Sequence, residues 1–140
     1  MHQDYEHKAQ YYETDQMGII HHSNYIRWME EARIDLMEQC GCGYVKMEEA
    51  GVISPVLSIE CKYQSMVYFG DTVRIKTTLL SYNGIKMEIG YEMQRVGDGA
   101  ICFHGKSEHC FINRENGQLI SLKKSQPDWH ESFRALLEES

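Results

Sequence analysis

The sequence has 140 residues, a length that fits one domain and leaves no room for two, so we expect a single domain over residues 1–140. A hydrophobic fraction of 42% and a charged fraction of 25% are typical of a globular protein that buries its own core. The net charge of −7 and the lack of a basic stripe argue against nucleic acid as a partner, although a local group of Lys and Arg could still bind an anionic ligand.

The cysteines and the N-terminal residues both indicate the cytoplasm. Five Cys are an odd number, and their spacing does not resemble a disulfide framework, which is typical of reduced thiols. Residues 1–15 are polar and lack the apolar centre of a signal peptide. No apolar run reaches the ~20 residues that cross a bilayer. We therefore expect a cytoplasmic protein that does not insert into a membrane.

A strand signal and then a helix signal occupy the N-terminal third of the chain. Residues 4–12 are rich in Tyr and partly alternate, which predicts a first strand, and residues 13–22 predict a loop. Ser23 and Asn24 are good N-cap residues for a long helix that ends within residues 41–43. Apolar residues recur at helical spacing in this helix and predict one buried face, formed by Tyr25, Trp28, Met29, Ala32 and Leu36.

The rest of the chain has mainly the alternation of strands. A short helix is expected over residues 44–50, and strands are expected over residues 53–65, 71–82, 85–96 and 100–112. Asn83–Gly84 is a strong hairpin signal, and a C-terminal helix capped by Asp128 is expected over about residues 128–139. One long helix followed by a run of antiparallel strands predicts an α+β fold in which a sheet of about five strands wraps around the helix.

The loop between the first strand and the long helix carries the side chains that could take part in a reaction. It places Asp15, His21 and His22 just before a helix start. A helix N-terminus has unpaired backbone N–H groups and the positive end of the helix dipole, so it can polarise a carbonyl group and stabilise an oxyanion. A carboxylate beside it can attack a carbonyl held there, or activate water to attack. Thioester carbonyls are good targets because the thiolate leaves readily.

This loop resembles the motif of the 4-hydroxybenzoyl-CoA thioesterase-like hotdog enzymes, including the branch associated with the Tol-Pal system. That motif has an aromatic residue, Thr-Asp, a Gly, a His or Tyr, and Asn-Tyr leading into the central helix. The matching residues are Tyr11, Thr14–Asp15, Gly18, His22 and Asn24–Tyr25. The likeness extends from about Tyr5 to Leu122, since Tyr63 followed by Phe69–Gly70–Asp71, and residues 105–111, also resemble segments of the family's sheet.

The resemblance implies a hotdog-fold acyl-CoA thioesterase that releases a free acid and CoA. Asp15 would be the catalytic carboxylate, and the backbone N–H of His22 would bind the thioester oxygen. The side chains of Tyr11 and His22 would orient the substrate. The substrate-binding loop would be completed by Gly18, Asn24 and Tyr25. No metal and no cofactor are implied, because CoA is part of the substrate.

Simpler structural roles are open to each of these residues. Asp15 alone could cap a turn. Glu31 could act as a helix carboxylate, as in another hotdog lineage, although a helix Glu is ordinarily solvated or at an interface. Metal binding is a further alternative, without supporting ligand spacing, for His21, His22, His104 and His109. The strand residues that could meet CoA phosphates are Lys62, Arg74, Lys76, Lys86 and Arg95.

Two other functions compete with hydrolysis. A dehydratase or hydratase of the same fold would carry His in an HFPG-like stretch, which this sequence lacks. The second alternative is a non-catalytic module that binds acyl-CoA or acyl-carrier protein, against which the intact Asp15 argues. The sequence identifies neither the acyl chain nor the thiol carrier, CoA or carrier protein. It also leaves open whether Asp15 attacks directly or activates water.

Self-association is expected on physical grounds, because exposed sheet edges are ordinarily paired or covered. The family resemblance implies edge-to-edge pairing of sheets, often as dimers of dimers, with sites at the subunit interface. We therefore expect a homodimer at minimum and a homotetramer as the fuller assembly.

Overall fold

A five-stranded antiparallel sheet and the long helix that it surrounds organise the molecule. The computed structural model describes residues 2–139. Its elements in chain order are β1 (Tyr5–Lys8), a 3-10 helix (Tyr11–Glu13), α1 (Ser23–Gln39), α2 (Tyr44–Glu49), β2 (Val52–Ile53), β3 (Val56–Tyr63), β4 (Thr72–Tyr82), β5 (Lys86–Arg95), β6 (Ile101–Cys110), β7 (Ile112–Asn113), α3 (Leu122–Ser125) and α4 (Pro127–Glu139).

The order of strands in the main sheet is β1-β4-β5-β6-β3, with every neighbouring pair antiparallel. β2 and β7 form a separate two-stranded pair. This confirms the α+β prediction of about five strands around one long helix. The order leaves β1 and β3 at the two edges, and β3 is the edge that lies near the start of α1, where Tyr63 bonds to His22.

The core lies between the concave face of the sheet and the apolar face of α1. The predicted helix face is confirmed, because Tyr25, Trp28, Met29, Ala32 and Leu36 are all buried. The strand alternation is confirmed in the same way, because one side of each long hairpin strand is buried: Val73, Ile75, Thr77 and Leu79 on β4, and Met87, Ile89, Tyr91 and Met93 on β5. A period of two in the sequence therefore placed these side chains correctly.

The first strand is shorter than predicted. It ends at Lys8 instead of continuing to residue 12, and the chain turns into the 3-10 helix. The side chain of Glu13 accepts a hydrogen bond from the backbone N–H of Gln10 at 2.8 Å, which closes the turn as a capping box does. After Lys8 the chain is therefore held by the hydrogen bond between Gln10 and Glu13 instead of by pairing with a neighbouring strand.

The predicted N-caps of α1 were wrong. The helix begins at Ser23, and the N-cap position is His22, whose side chain makes no capping bond. The amide of Asn24 donates to the carbonyl oxygens of Glu13 and His21, at 2.8 and 3.3 Å, so it ties the preceding loop to the helix.

The strand expected over residues 53–65 is two strands, divided at Ser54 and Pro55. Proline has no backbone N–H to continue a ladder, and the two halves take different partners: β2 pairs with β7, and β3 pairs with β6. The last helix starts at Pro127, so Asp128 lies in its first turn instead of at its N-cap. β7 and α3 were not predicted.

Within residues 2–139, none of the helices combines the length and the apolar character needed to span a membrane.

Candidate active site

The loop that carries Asp15 is folded back on itself like a small hairpin. The backbone N–H of Asp15 donates to the carbonyl of Ile19 at 2.8 Å, and that of Gly18 donates to the carbonyl of Asp15 at 3.1 Å. Gly18 has a φ of +80°, a left-handed conformation that other residues adopt at a cost. The backbone N–H of Ile20 donates to the carbonyl of Val67 at 2.9 Å, which attaches the hairpin to the segment between β3 and β4.

The two carboxylate oxygens of Asp15 have different environments. Oδ1 accepts a hydrogen bond from the backbone N–H of Met17 at 2.8 Å. Oδ2 accepts none from the residues that the structure describes. The side chain is partly exposed. One oxygen therefore caps the turn, as the simpler interpretation predicted, and the other remains accessible to a ligand.

His22 offers its backbone N–H at the start of α1. Among residues 2–139 this N–H has no hydrogen-bond acceptor. The carbonyl of His22 accepts from the hydroxyl of Tyr63 at 3.2 Å and from the backbone N–H of Tyr25 at 3.4 Å. Its exposed ring stacks on His21, with centroids 4.2 Å apart, and meets Tyr63 edge-on at 6.3 Å.

His21, the neighbour, has a structural role at the helix start. Its backbone N–H donates to the carbonyl of Glu13 at 2.9 Å. Its ring Nδ1 accepts from the backbone N–H of Ser23 at 3.2 Å and lies 2.9 Å from the Ser23 hydroxyl. One of the unpaired N–H groups at the start of α1 is thus capped by His21, while that of His22 is left free.

The remaining residues of the motif lie around this loop without all meeting at one point. Tyr11 is 75% exposed, and its ring meets Phe69 edge-on at 5.8 Å. None of the hydrogen bonds or ring contacts within the described residues joins Tyr11 to Asp15 or His22. Asn24 and Tyr25 are 6% and 4% exposed, so within one chain they support the loop and the helix start. Their predicted substrate contacts stay predictions.

Tyr25 and Tyr63 belong to an aromatic cluster below the helix start. Tyr25 stacks on Phe103 at 5.3 Å and meets Tyr63 edge-on at 5.2 Å. Burial raises the pKa of the Tyr25 hydroxyl to about 12, so this group is neutral at physiological pH. Tyr63 is 48% exposed and bonds directly to His22, so a residue that the sequence assigned only to the family's sheet lies at the site.

A buried carboxylate that the sequence analysis missed fixes the loop from the other side. Glu13 is 5% exposed and accepts hydrogen bonds from His7 Nε2 at 2.9 Å and from Trp28 Nε1 at 2.7 Å, as well as from Gln10. Burial favours the neutral acid, but the hydrogen bonds from His7, Gln10 and Trp28 outweigh it and hold the pKa of Glu13 below its ordinary value. The Gln10-x-x-Glu13 spacing is the one sequence signal that could have revealed this role.

Glu31 is part of the same support. Its Oε1 accepts from the hydroxyl of Tyr5 at 2.7 Å and lies 3.2 Å from His7 Nδ1. Burial and the neighbouring Glu31 raise the pKa of Tyr5 to about 12. Glu31 therefore joins β1 to α1 and is not an isolated surface residue.

The histidines proposed as alternative metal ligands are not brought together. His104 lies on the outer face of the sheet, where its Nε2 is 3.2 Å from Glu92, whereas His109 is buried in the interior. In the part of the chain that the structure describes, no group of three or more His, Cys, Asp or Glu side chains could hold a metal ion.

Of the basic strand residues considered for CoA phosphates, Lys62 and Lys76 line one cleft on the outer face of the sheet. Arg74 pairs with Glu6 at 3.1 Å, and Arg95 pairs with Asp98 at 2.8 Å. Lys62, Lys76 and Lys86 are exposed. Contact with CoA phosphates stays a prediction for all five.

Comparison with known proteins identifies the family. The family model described as the thioesterase-like superfamily matches residues 10–135. The Bacillus subtilis protein named "Putative acyl-CoA thioesterase YneP" is 37% identical over 126 residues, 90% of this chain and 91% of that protein. A "Putative esterase" of Aquifex aeolicus is 31% identical over 120 residues, 86% of this chain and 91% of that protein.

Solved structures agree. The structure of DHNA-CoA thioesterase from Staphylococcus aureus superposes with a TM-score of 0.90 and 34% identity, covering 97% of this chain and 93% of that one. The predicted hotdog fold is thereby confirmed. The chain is an enzyme of the thioesterase-like superfamily, built on the hotdog fold.

Proposed function

We propose that the protein is an acyl-CoA thioesterase in which Asp15 supplies the reacting carboxylate and the start of α1 polarises the thioester carbonyl. The observation that carries this proposal is the unpaired backbone N–H of His22 at the N-terminus of a 17-residue helix. Such a donor, aligned with the helix dipole, suits the oxyanion that forms when a carbonyl is attacked. The names of the relatives support acyl-CoA as the substrate class.

Asp15 is suited to the reaction by its free oxygen. Because Oδ1 is held by Met17, the carboxylate has a fixed orientation, and Oδ2 can face a ligand. In direct attack, Oδ2 bonds to the carbonyl carbon, the thiolate of CoA leaves, and water hydrolyses the resulting mixed anhydride. In the alternative, Oδ2 removes a proton from a water molecule, and that water attacks the carbonyl.

Single-turnover hydrolysis in oxygen-18 water identifies direct attack if label enters the protein. Direct attack predicts that label enters the Asp15 carboxylate when the anhydride is cleaved at the protein's carbonyl. Water activation predicts label in the free acid alone, with the protein remaining unlabelled.

The activity itself is tested by thiol release from a panel of short, long and aromatic acyl groups, each carried by CoA and by acyl-carrier protein. The proposal expects turnover of at least one acyl-CoA and slower turnover of the matching carrier-protein thioester. Saturable binding of these thioesters without thiol release would support the non-catalytic binding module instead.

Assembly into a homodimer, or a dimer of dimers, is part of the proposal. β3 is an edge strand with exposed apolar side chains, including Val56, Leu57 and Ile59 at 46%, 48% and 41% exposure. An open edge of this kind tends to pair with another strand. Its end at Tyr63 contacts His22, so pairing of two β3 strands would place the reactive loop at the subunit interface.

A further inference from the structure

A cleft lies on the molecule at the opposite end of β3 from His22. It has a volume of about 380 Å³ and is formed by the second half of α1, by α2 and by the link between β2 and β3. Its lining is largely apolar and includes Met37, Tyr44, Met47, Val52 and Ile53. A cleft of this size and composition suits the organic part of a small ligand.

One cation projects into this apolar cleft without a carboxylate partner. Arg33 lines the cleft and is partly buried. Its NH1 lies 3.1 Å from Nδ1 of His109, and among the described residues it forms no ion pair. Glu48, which also lines the cleft, is directed to Arg114 at 3.7 Å. A guanidinium has five N–H donors, and the one hydrogen-bond contact recorded for Arg33 leaves donors that a ligand could use.

His109 fixes the orientation of Arg33 from below. The ring is 1% exposed, and its Nε2 lies 2.7 Å from the hydroxyl of Ser107, which in turn lies 2.7 Å from that of Tyr91. Burial and the adjacent Arg33 lower the pKa of His109 to about 4, so its ring is neutral at physiological pH. Because Arg33 can only donate, its contact at Nδ1 is a hydrogen bond when the proton of the neutral ring lies on Nε2.

The cleft also contains a polar group that has no hydrogen-bond partner among the described residues. The hydroxyl of Ser54 is buried and makes no hydrogen bond with the residues described, and Ser54 lines the same cleft. Buried hydroxyls and half-buried guanidinium groups are ordinarily satisfied by hydrogen bonds. Both observations indicate a ligand that brings acceptor oxygens into a mainly apolar space.

The position of β3 relates the cleft to the thioester site. The start of β3, at Val56, directly follows the cleft residue Pro55, and the end of β3, at Tyr63, bonds to His22. If two β3 edges pair antiparallel, the start of one strand lies beside the end of the other. The cleft of one copy then lies next to the helix start and Asp15 loop of a second copy.

We propose that this cleft receives the far end of the acyl chain and that Arg33 selects acyl groups carrying an acceptor oxygen there, either a carboxylate or a hydroxyl. The proposal rests on the thioesterase function proposed above and adds the substrate class to it. Arg33 is the specificity-determining residue, and His109 and Ser107 are positioning residues that hold it.

The test is titration calorimetry with non-hydrolysable thioether analogues. Analogues of hexanoyl-, octanoyl- and decanoyl-CoA are compared, at equal chain length, with those bearing a terminal hydroxyl or a terminal carboxylate. The purified full chain should bind at least one oxygen-bearing analogue about tenfold more tightly than the plain alkyl analogue, the effect of one charge-assisted hydrogen bond. The stronger of the two oxygen-bearing series identifies the acceptor as carboxylate or hydroxyl.

Two variants locate the selectivity. Arg33→Met keeps the length of the side chain and should abolish the preference while leaving binding of the alkyl analogues within about twofold. Glu30→Gln is the matched control, because Glu30 lines the same cleft one helical turn before Arg33; it should keep or increase the preference. Equal binding of plain and oxygen-bearing analogues by the unaltered chain, at every length, would overturn the proposal even if Arg33→Met failed to fold.

Binding and hydrolysis are read separately, so the two proposals fail separately. Absence of thiol release from every thioester refutes the thioesterase function. A preference for oxygen-bearing analogues that persists unchanged in Arg33→Met refutes the role of Arg33, whatever the hydrolysis assay gives.

Discussion

Glu13 shows how a single buried residue can hold the reactive loop. Its side chain is bonded to His7, Gln10 and Trp28, and its carbonyl accepts from His21 and from Asn24. It therefore joins β1, the 3-10 helix and α1 at the point where the Asp15 loop begins. A carboxylate that satisfies three donors in a buried place is costly to replace, because its partners would lose their acceptor.

We expect Glu13→Gln to lower the free energy of unfolding by about 2 kcal/mol, since the side chain keeps its size but loses the charge that its three donors require. Urea unfolding measures the change. Glu49→Gln, an exposed position without a described ion pair, should stay within about 0.5 kcal/mol of the original. Similar losses in the two variants would show that the Glu13 network is not stabilising.

His109 should make stability fall in mild acid. Burial and Arg33 lower its pKa from 6.5 to about 4. Between these two pH values His109 therefore binds a proton in the unfolded chain but not in the folded chain. Stability from this group is complete above pH 6.5 and is lost as the pH falls towards 4, by on the order of 3 kcal/mol. The depressed pKa of Glu13 adds a loss in the same direction at lower pH.

The measurement is the free energy of unfolding in urea at about pH 7.5 and about pH 5, for the original chain and for His109→Gln. The variant should lose much less stability between the two pH values, because it lacks the titrating ring. An identical pH dependence would mean that other groups cause the loss.

At the scale of elements, the start of α1 offers a backbone N–H whose role can be tested separately from that of the side chain. His22 has φ −56° and ψ −26°, a backbone conformation that proline can adopt, and its N–H has no partner in the described chain. His22→Pro therefore removes the N–H with the imidazole, whereas His22→Ala removes the imidazole alone.

We expect His22→Ala to reduce turnover modestly and His22→Pro to reduce kcat by a further ~10²-fold, the usual cost of losing one oxyanion donor. Steady-state kinetics on the best acyl-CoA measures both, and circular dichroism checks that α1 is retained. Equal activity in the Pro and Ala variants would contradict a role for the N–H.

The spacing of apolar residues predicted a helix or strand correctly where one face of that element is buried in the core. The long helix and the strands β4 and β5 follow their apolar patterns because the core satisfies those patterns along the whole element. The division at Ser54–Pro55 and the pair β2–β7 depend on which strand lies alongside, and a local pattern does not contain that information. Proline at residue 55 was the available signal.

The residues of the candidate site also fall into two groups, those that the sequence predicted and those that it did not. The loop and its Asp15 were predicted because they form a contiguous motif, whose residues are neighbours in sequence. The site roles of Glu13, Tyr63 and Arg33 were missed because they depend on partners far along the chain: Trp28, His22 and His109 respectively. Distances in space, not spacing in sequence, assign those roles.

At the scale of the whole molecule, β3 is both the edge proposed to pair with a second copy and the strand that lies between the cleft and the helix start. Ile59 lies opposite Ser107 on the concave side of the sheet and is 41% exposed. The apolar cleft and the helix start flank the two ends of the same strand. A complete substrate site is therefore expected only when two copies pair.

If the proposed dimer or tetramer forms, Ile59→Glu should convert it to smaller species and lower thioesterase activity, because it places a charge on the apolar edge strand of each copy. Multi-angle light scattering at micromolar concentration reports the mass. Lys8→Glu, on the opposite edge strand β1, is the control and should leave both properties unchanged. A wild-type monomer with full activity would refute the composite site.

The most direct test of the account is thiol release by the original chain and by Asp15→Asn, measured side by side on the best acyl-CoA. Asn keeps an oxygen that can accept from Met17, so the loop, the melting temperature and the oligomer should be preserved. We expect a loss of turnover of about 10²- to 10⁴-fold, the range that a positioned carboxylate supplies. Unchanged turnover in Asp15→Asn would contradict it.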